Sequence, residues 1–243
     1  MEALILKANG LIEYSSAVKL QEALVELRYK EIIPDIVLLL EHPPVITLGV
    51  KARKEQIIAR EEQLIEQNIS VCSTNRGGSI TYHGPGQLVM YPIIKLGKVS
   101  ADTHNYLGNL EEVAIMTCLN FGVKAFRKKG KTGAWTDWGK IAAIGVRFKR
   151  WITYHGMSFN ICPNMEHFKL IIPCGLVGEK VTSLASILND KTPDMSRVIS
   201  AIVENFSKVF QCNVKNYDYK KCDIEELKEL LMNSGWLNNS LQT

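Results

Sequence analysis

The residues best suited to chemistry in this 243-residue chain lie in the stretch Arg76-Gly77-Gly78-Ser79-Ile80-Thr81-Tyr82-His83-Gly84-Pro85-Gly86-Gln87 and at two later positions, Lys140 and Cys174. Glycine loses more chain entropy on folding than any other residue, so a dense glycine run calls for a local reason. Here polar loop meets apolar strand (Leu88-Val89-Met90-Tyr91), where a missing Cβ lets backbone come close to a ligand. Arg76 offers a fork for a carboxylate, a phosphate or carbonyl oxygens, and Thr81 and His83 offer short directional groups. Tyr82 alternates with them and is expected to pack on the other face. The plain alternative is a tight hairpin with its arginine in water. The density of Arg, Thr, His and Gln on one segment favours a binding surface.

Lys140 opens Lys140-Ile141-Ala142-Ala143-Ile144-Gly145-Val146, a strand whose small residues leave room beside it. Apolar surroundings disfavour an ammonium, and a neighbouring thiolate opposes that effect. Taken singly, a strand-end lysine more often snorkels to solvent. Cys174 lies between Pro173 and Gly175 after the apolar Ile171-Ile172, so its thiol belongs to a turn rather than to mid-core. The other cysteines, at 72, 118, 162, 212 and 222, read as small inert hydrophobes.

The elements that must carry these groups follow from pattern. A helix is expected from Ser15-Ser16 to about Glu31, and strands over Ile36–Leu40 and Val45–Leu48 around His42-Pro43-Pro44. A short helix over Glu61–Gln67 and a strand over Ser70–Ser73 lead into the glycine-rich stretch. The strand Leu88–Leu96 leaves it, with Pro92 marking an edge or a bulge. Asp102–Phe121 is the central helix. Thr132–Trp135, Lys140–Phe148 and Ile152–Ile161 are strands, the last two a hairpin about Lys149-Arg150-Trp151. Thr192-Pro193 is expected to open a helix to about Phe210, and Asp223 with Glu226 a final one through Met232. The class is α+β, a mixed β-sheet flanked by helices.

Composition bounds the function. A chain that is 46% hydrophobic and 22% charged is an ordinary globular protein of one domain. A net charge of +4 with only short basic clusters argues against nucleic acid as partner, though it suits an acidic protein. No C-x-x-C spacing suggests a metal site or a disulfide framework. No leader or membrane-spanning run is legible, so the expected location is the reducing cytoplasm, with no membrane contact.

Four segments, Arg76–Tyr91, Gly139–Gly145, Thr153–Asn160 and Ile172–Leu184, together resemble the lipoyl(octanoyl) transferase family. They match its R-G-G-x-x-T-x-H-G-P-G-Q element, its G-K-I-A-A-I-G and T-Y-H-G strands and its P-C-G loop. Leu39–Gly49 matches its early strand-turn. The resemblance implies a biotin- and lipoate-ligase-like fold with an acyl tunnel. It implies transfer of an octanoyl group from octanoyl-acyl carrier protein to a lysine of lipoyl domains, those of 2-oxoacid dehydrogenases and of the glycine-cleavage H protein. No cofactor or metal is implied. Cys174 would be the acyl-thioester nucleophile, and Lys140 the lysine that lowers its pKa and moves protons. Arg76, Gly77, Gly78, Ser79, Ile80, Thr81, Tyr82 and His83 would bind substrate, with Ala143, Ile144, Gly145, Gly156, Met157 and Ser158. Met157 and Ser158 replace the family's common Leu and Ala, and Val50-Lys51 its usual basic pair. Residues 1–219 would be the catalytic domain and 220–243 a helical extension.

The chemistry of the residues agrees with this. Acyl exchange from a carrier thiol to an amine runs downhill without ATP, and capture on a thiol splits it into two easier steps. A nearby ammonium raises the thiolate fraction, and the resulting amine later deprotonates the incoming lysine. Backbone N–H groups of Cys174-Gly175 or Gly77-Gly78 are candidates for the oxyanion site. Three other readings compete: an ATP-dependent lipoate or biotin ligase, which needs no cysteine; a non-catalytic lipoyl-domain or carrier-binding module; and a Cys–His hydrolase using His83 or His155.

Overall fold

The run Ile36–Leu40 shows how the molecule is layered. Its strand, β2 (Asp35–Glu41), is buried along almost its whole length. Ile36, Leu38 and Leu40 join one apolar cluster and Val37 and Leu39 another, so successive side chains feed opposite faces of one sheet. A five-residue apolar run without alternation is what a strand covered on both faces requires. The computed structural model describes residues 2–97, 103–172, 179–219, 225–227 and 229.

The first strand, β1 (Glu2–Leu11), pairs parallel with β2 through the crossover helix α1 (Tyr14–Tyr29). β3 (Val45–Leu48), α2 (Glu61–Glu66), β4 (Ser70–Ser73), β5 (Ile80–His83) and β6 (Gln87–Ile93) follow. After α3 (Thr103–Asn120) come β7 (Phe126–Lys128), β8 (Lys131–Thr136), β9 (Gly139–Lys149) and β10 (Ile152–Asn160). Then come α4 (Leu184–Leu188), α5 (Met195–Phe210) and β11 (Asn213–Tyr219). The large sheet has eight strands in the order β11-β1-β2-β6-β10-β9-β8-β7, and a small sheet runs β4-β3-β5. The large sheet mixes parallel β11-β1-β2 with antiparallel pairing from β2 to β7, so the class is α+β as expected. Helix α1 covers one face over Leu4, Leu24 and Leu38, and α3 and α5 cover the other over Val37, Leu110 and Phe206. Among the described residues no helix is long and apolar enough to cross a membrane.

Several local expectations are corrected. β1 and β11 carry no expected strand: β1 is a parallel partner fixed by tertiary contact, and β11 is a mostly exposed edge strand. β6, which holds Pro92, is not an edge, because β2 and β10 flank it. Its ladder to β10 covers only Gln87 to Met90, stopping short of the proline that has no N–H to give. Beyond it the Thr153 hydroxyl bridges the strands, donating to Pro92 O at 2.7 Å and accepting from Ile94 N at 3.0 Å. Helix α5 is capped two residues later than expected, by Asp194, whose carboxylate accepts from Arg197 N at 2.8 Å. No side chain of Ser15 or Ser16 caps α1, which begins at Tyr14. Asp223 of the expected last helix lies outside the described residues. Residues 225–227 are helical, and Leu227 is buried in the cluster under α1.

Candidate active site

Two glycines explain how the glycine-rich stretch is held. A Cβ at Gly77 would lie 2.8 Å from Val146 O, and one at Gly145 would lie 2.6 Å from Gly77 O. The turn therefore presses its backbone directly on β9, and Gly77 N donates to Val146 O at 3.0 Å. That spends the Gly77 amide, so of the pair Gly77-Gly78 it is excluded as an oxyanion donor. A third close approach sits on β10. His155 has φ +55°, and a Cβ at Gly156 would lie 2.1 Å from Met90 O. The left-handed histidine followed by a glycine without room for a side chain is the local form of the T-Y-H-G segment.

A cleft of about 1110 Å3 opens between this turn and the β9–β10 hairpin. From the turn and β5 it is lined by Arg76, Gly77, Gly78, Ser79, Ile80, Thr81 and His83. From β9 come Lys140, Ala143, Ile144 and Gly145, and from β10 Gly156, Met157 and Ser158. Val89, Leu107 and Phe148 add apolar wall. Of the described residues expected to bind substrate, Tyr82 is the one outside this lining. It turns away from the cleft into the cluster of Ile46, Leu64 and Phe168, and its hydroxyl shares a 2.7 Å hydrogen bond with His167 Nδ1. The reason is strand alternation: Thr81 and His83 face one side of β5 and Tyr82 the other.

Arg76 borders the cleft, yet its fork is turned into the protein. Nη2 donates to Thr47 O at 2.8 Å and to Thr47 Oγ1 at 2.9 Å, and Nη1 donates to Gly77 O at 3.1 Å. The guanidinium pins the turn to β3 while the residue borders the cleft.

Lys140 is 7% exposed and lies in the cleft wall, with Nζ 4.7 Å from the centre of the Trp135 ring. The same ring carries Lys128 Nζ at 4.8 Å. An aromatic face attracts a cation whose water has been stripped away. Lys140 N donates to Lys180 O and Thr182 N donates to Lys140 O, both at 2.9 Å, so the returning chain 180–182 runs beside the lysine. Ile172 lines the cleft, and its N–H donates to Gln56 O at 2.8 Å. Cys174, with the rest of residues 173–178, lies outside the described residues. Cys118 is buried, and burial pushes its thiol up to about 12. Cys162 lies past the end of β10 and is exposed.

A ring cluster around His83, whose members Tyr14 and Tyr91 the sequence did not single out, backs the cleft. Tyr14 stacks on His83 with centroids 5.9 Å apart, and His42 meets His83 edge-on at 5.7 Å. His42 Nδ1 bonds Ile12 O at 2.6 Å and its Nε2 bonds the Tyr91 hydroxyl at 2.8 Å. Burial lowers His42 to about 4. Burial, then the Arg76 and Arg147 charges, lower His155 to about 3. His83 is pushed well below the ordinary histidine range by burial first and then by His42 and Arg76. All three imidazoles are neutral at neutral pH. His42 follows Glu41 at the end of β2, where the sequence marks only a strand end before Pro43-Pro44.

A mixed sheet with a glycine-lined cleft beside a buried lysine defines a catalytic domain of the lipoate-ligase type. The chain matches the family model described as lipoyl protein ligase A/B catalytic domain over residues 13–207, and it belongs to that family. It is similar to the octanoyltransferase of Caldicellulosiruptor saccharolyticus, 43% identical over 219 residues, covering 89% of this chain and 92% of that one. The octanoyltransferase of Clostridium kluyveri is 43% identical over 206 residues, covering 85% of this chain and 88% of the relative. Among solved structures, lipoate-protein ligase A bound with ATP shares the fold, with a TM-score of 0.73 at 13% identity over 96% of this chain and 95% of that one.

Proposed function

We propose that the protein is an octanoyltransferase of protein lipoylation, moving an octanoyl group from acyl carrier protein to a lysine of a lipoyl domain through a thioester on Cys174. The observation that carries this reading is the setting of Lys140. Its ammonium sits in the wall of a cleft with apolar sides, and the chain flanking residues 173–178 lines that cleft at Ile172 and bonds the Lys140 backbone at Thr182. Cys174 follows Ile172 by two positions, a reach of about 7 Å of extended chain. The relatives at 43% identity are named octanoyltransferases, which supports the acyl group assigned.

In this reaction the Lys140 ammonium stabilises the Cys174 thiolate, which attacks the carrier's thioester carbon. The C–S bond to the carrier breaks, and the departing sulfur takes the proton from Lys140. The lysine of the lipoyl domain then attacks the Cys174 thioester. Its nitrogen forms the amide bond, its proton passes to the Lys140 amine, and the thiolate leaves. Val89, Ile144, Met157 and Phe148 supply the apolar wall that an eight-carbon chain needs. A Cys–His hydrolase fits less well, since burial keeps His83 and His155 from holding a proton at neutral pH. Fold alone does not separate transferase from ligase, because an ATP-bound lipoate ligase shares it.

Intact-mass measurement after mixing the protein with octanoyl carrier, before any acceptor is added, tests the proposal. An octanoyl mass on Cys174 is expected, with onward transfer that needs no ATP. Full transfer by Cys174→Ala, or pyrophosphate release from ATP, would overturn it.

A further inference from the structure

A chain of buried amides leads from His83 to the segment beside Lys140, and its ends fix every proton along it. Asn160 Nδ2 donates to Thr182 O at 2.9 Å, and a backbone carbonyl only accepts. Asn160 Oδ1 is thereby the acceptor for Gln87 Nε2 at 2.8 Å, whose other hydrogen goes to Tyr82 O at 3.2 Å. Gln87 Oε1 remains as the atom 2.6 Å from His83 Nδ1, so Nδ1 carries the proton. The His83 ring lines the cleft, and Nε2, its basic nitrogen, has no hydrogen-bond partner among the described residues. Gln87 is 1% and Asn160 4% exposed, so water does not compete for these bonds.

We infer that Gln87 and Asn160 are positioning residues that hold His83 as the neutral Nδ1–H tautomer, so that its Nε2 accepts a hydrogen bond from the amine of the incoming lysine. The inference rests on the acyl-transfer reading and names the group that receives the second substrate. One N–H of the amine is held by His83, its lone pair faces the thioester carbon, and the proton lost as the amide forms goes to Lys140. His83 itself keeps its protonation throughout. The titratable groups facing it are Tyr14 from α1, His42 after β2, Arg76 from the glycine-rich turn and His155 from β10. Arg76 is the fixed charge among them, and it opposes an imidazolium. The same amide chain joins His83 to Thr182, whose N–H bonds Lys140 O, so acceptor and base are tied to one scaffold.

The test follows the two half-reactions of the full-length protein separately: octanoyl-enzyme formation by intact mass, then loss of that mass on adding a lipoyl domain. Gln87→Glu places a carboxylate on His83 Nδ1 and favours the imidazolium, which turns Nε2 from acceptor to donor. The second half-reaction is expected to slow at least about tenfold more than the first, the size of one hydrogen bond to a charged group. The loss is deepest below pH 7 and recovers as pH rises. Equal slowing of both halves, or of neither, would overturn the inference. Long-range 1H–15N spectra of His83 in the unsubstituted protein decide the matter should Gln87→Glu not fold. The Nδ1–H pattern is expected at pH 7, and an Nε2–H or doubly protonated ring would sink the inference. Transfer without any octanoyl-enzyme would instead overturn the acyl-enzyme reading, leaving the tautomer measurement to stand separately.

Discussion

Gly77 and Gly145 bring two stretches of backbone together with no room for a side chain on either: a Cβ on Gly145 would sit 2.6 Å from the Gly77 carbonyl oxygen. The contact joins the cleft-lining turn to β9, the strand that carries Lys140. Gly145→Ala is therefore expected to push the turn off β9, and the atoms in the way are backbone, which does not swing aside. A loss of about 1–3 kcal/mol in stability is expected from overpacking of this kind, read as a lowered denaturation midpoint in urea. Transfer should fall further than stability does, because the turn borders the cleft. Unchanged midpoint and rate would show that the turn has slack.

Trp135 holds the Lys140 ammonium over its ring at 4.7 Å while its indole N–H donates to Lys131 O at 2.9 Å. The two roles separate by substitution. Trp135→Phe keeps an aromatic face and loses the N–H, whereas Trp135→Leu loses both. A cation–π contact of a desolvated ammonium is worth about 1–2 kcal/mol, so Trp135→Leu should be slower than Trp135→Phe by roughly tenfold in kcat. Lys140→Ala should fold and lose about a hundredfold or more in transfer. Equal rates for the two tryptophan variants would remove the ring from the account.

Much of the cleft lining is legible in the sequence. The glycine-rich stretch and the small residues of β9 carry their signal locally, since close backbone approach demands glycine wherever it occurs. The Ile36–Leu40 run likewise announces a strand buried on both faces. What stayed hidden depends on contacts between distant parts of the chain. β11 (NVKNYDY) has few strand-forming cues and becomes a strand because β1, some 200 residues earlier, offers it a parallel edge. Asn160 meets Gln87 across 73 positions, a pairing set by the neighbouring places of β6 and β10. The bond from Arg76 to Thr47 was hidden for a similar reason, since Thr47 sits on β3 of a second sheet.

The buried histidines predict how stability depends on acid. The native state holds His42 at about 4 and His155 at about 3, both below the unfolded value of 6.5. Between those values the unfolded chain binds more protons, so the stability these groups contribute is full above pH 6.5 and drains away as pH falls toward 4 and below. For His42 the complete effect is on the order of 3 kcal/mol. Melting temperature should be level near pH 7–8 and fall steadily from pH 6.5 to 4. His42→Gln should flatten that slope, and an equally steep fall in the variant would assign acid sensitivity elsewhere.

Glu179 sits where the chain returns beside Lys140, held by Lys128 at 2.9 Å and by Lys131 from the β7–β8 hairpin. The lysine hydrogen bonds, Lys131 first, keep its carboxyl below the ordinary glutamate range. Exposed pairs of this kind add little to global stability, so Glu179→Gln should leave the melting temperature nearly unchanged. The pairs nevertheless fix the stretch that leads into Lys180 and Thr182, whose backbone bonds seat Lys140. Transfer is therefore expected to drop several-fold in the variant, with KM for the carrier little altered, because what loosens is the alignment of reacting groups. Salt separates this from a packing defect. Raising ionic strength from about 0.05 M to 1 M shortens the screening length several-fold, so the unsubstituted protein should slow toward the variant while the variant hardly changes. Parallel salt curves for the two proteins would show that the Lys–Glu clasp has no part in holding the returning chain.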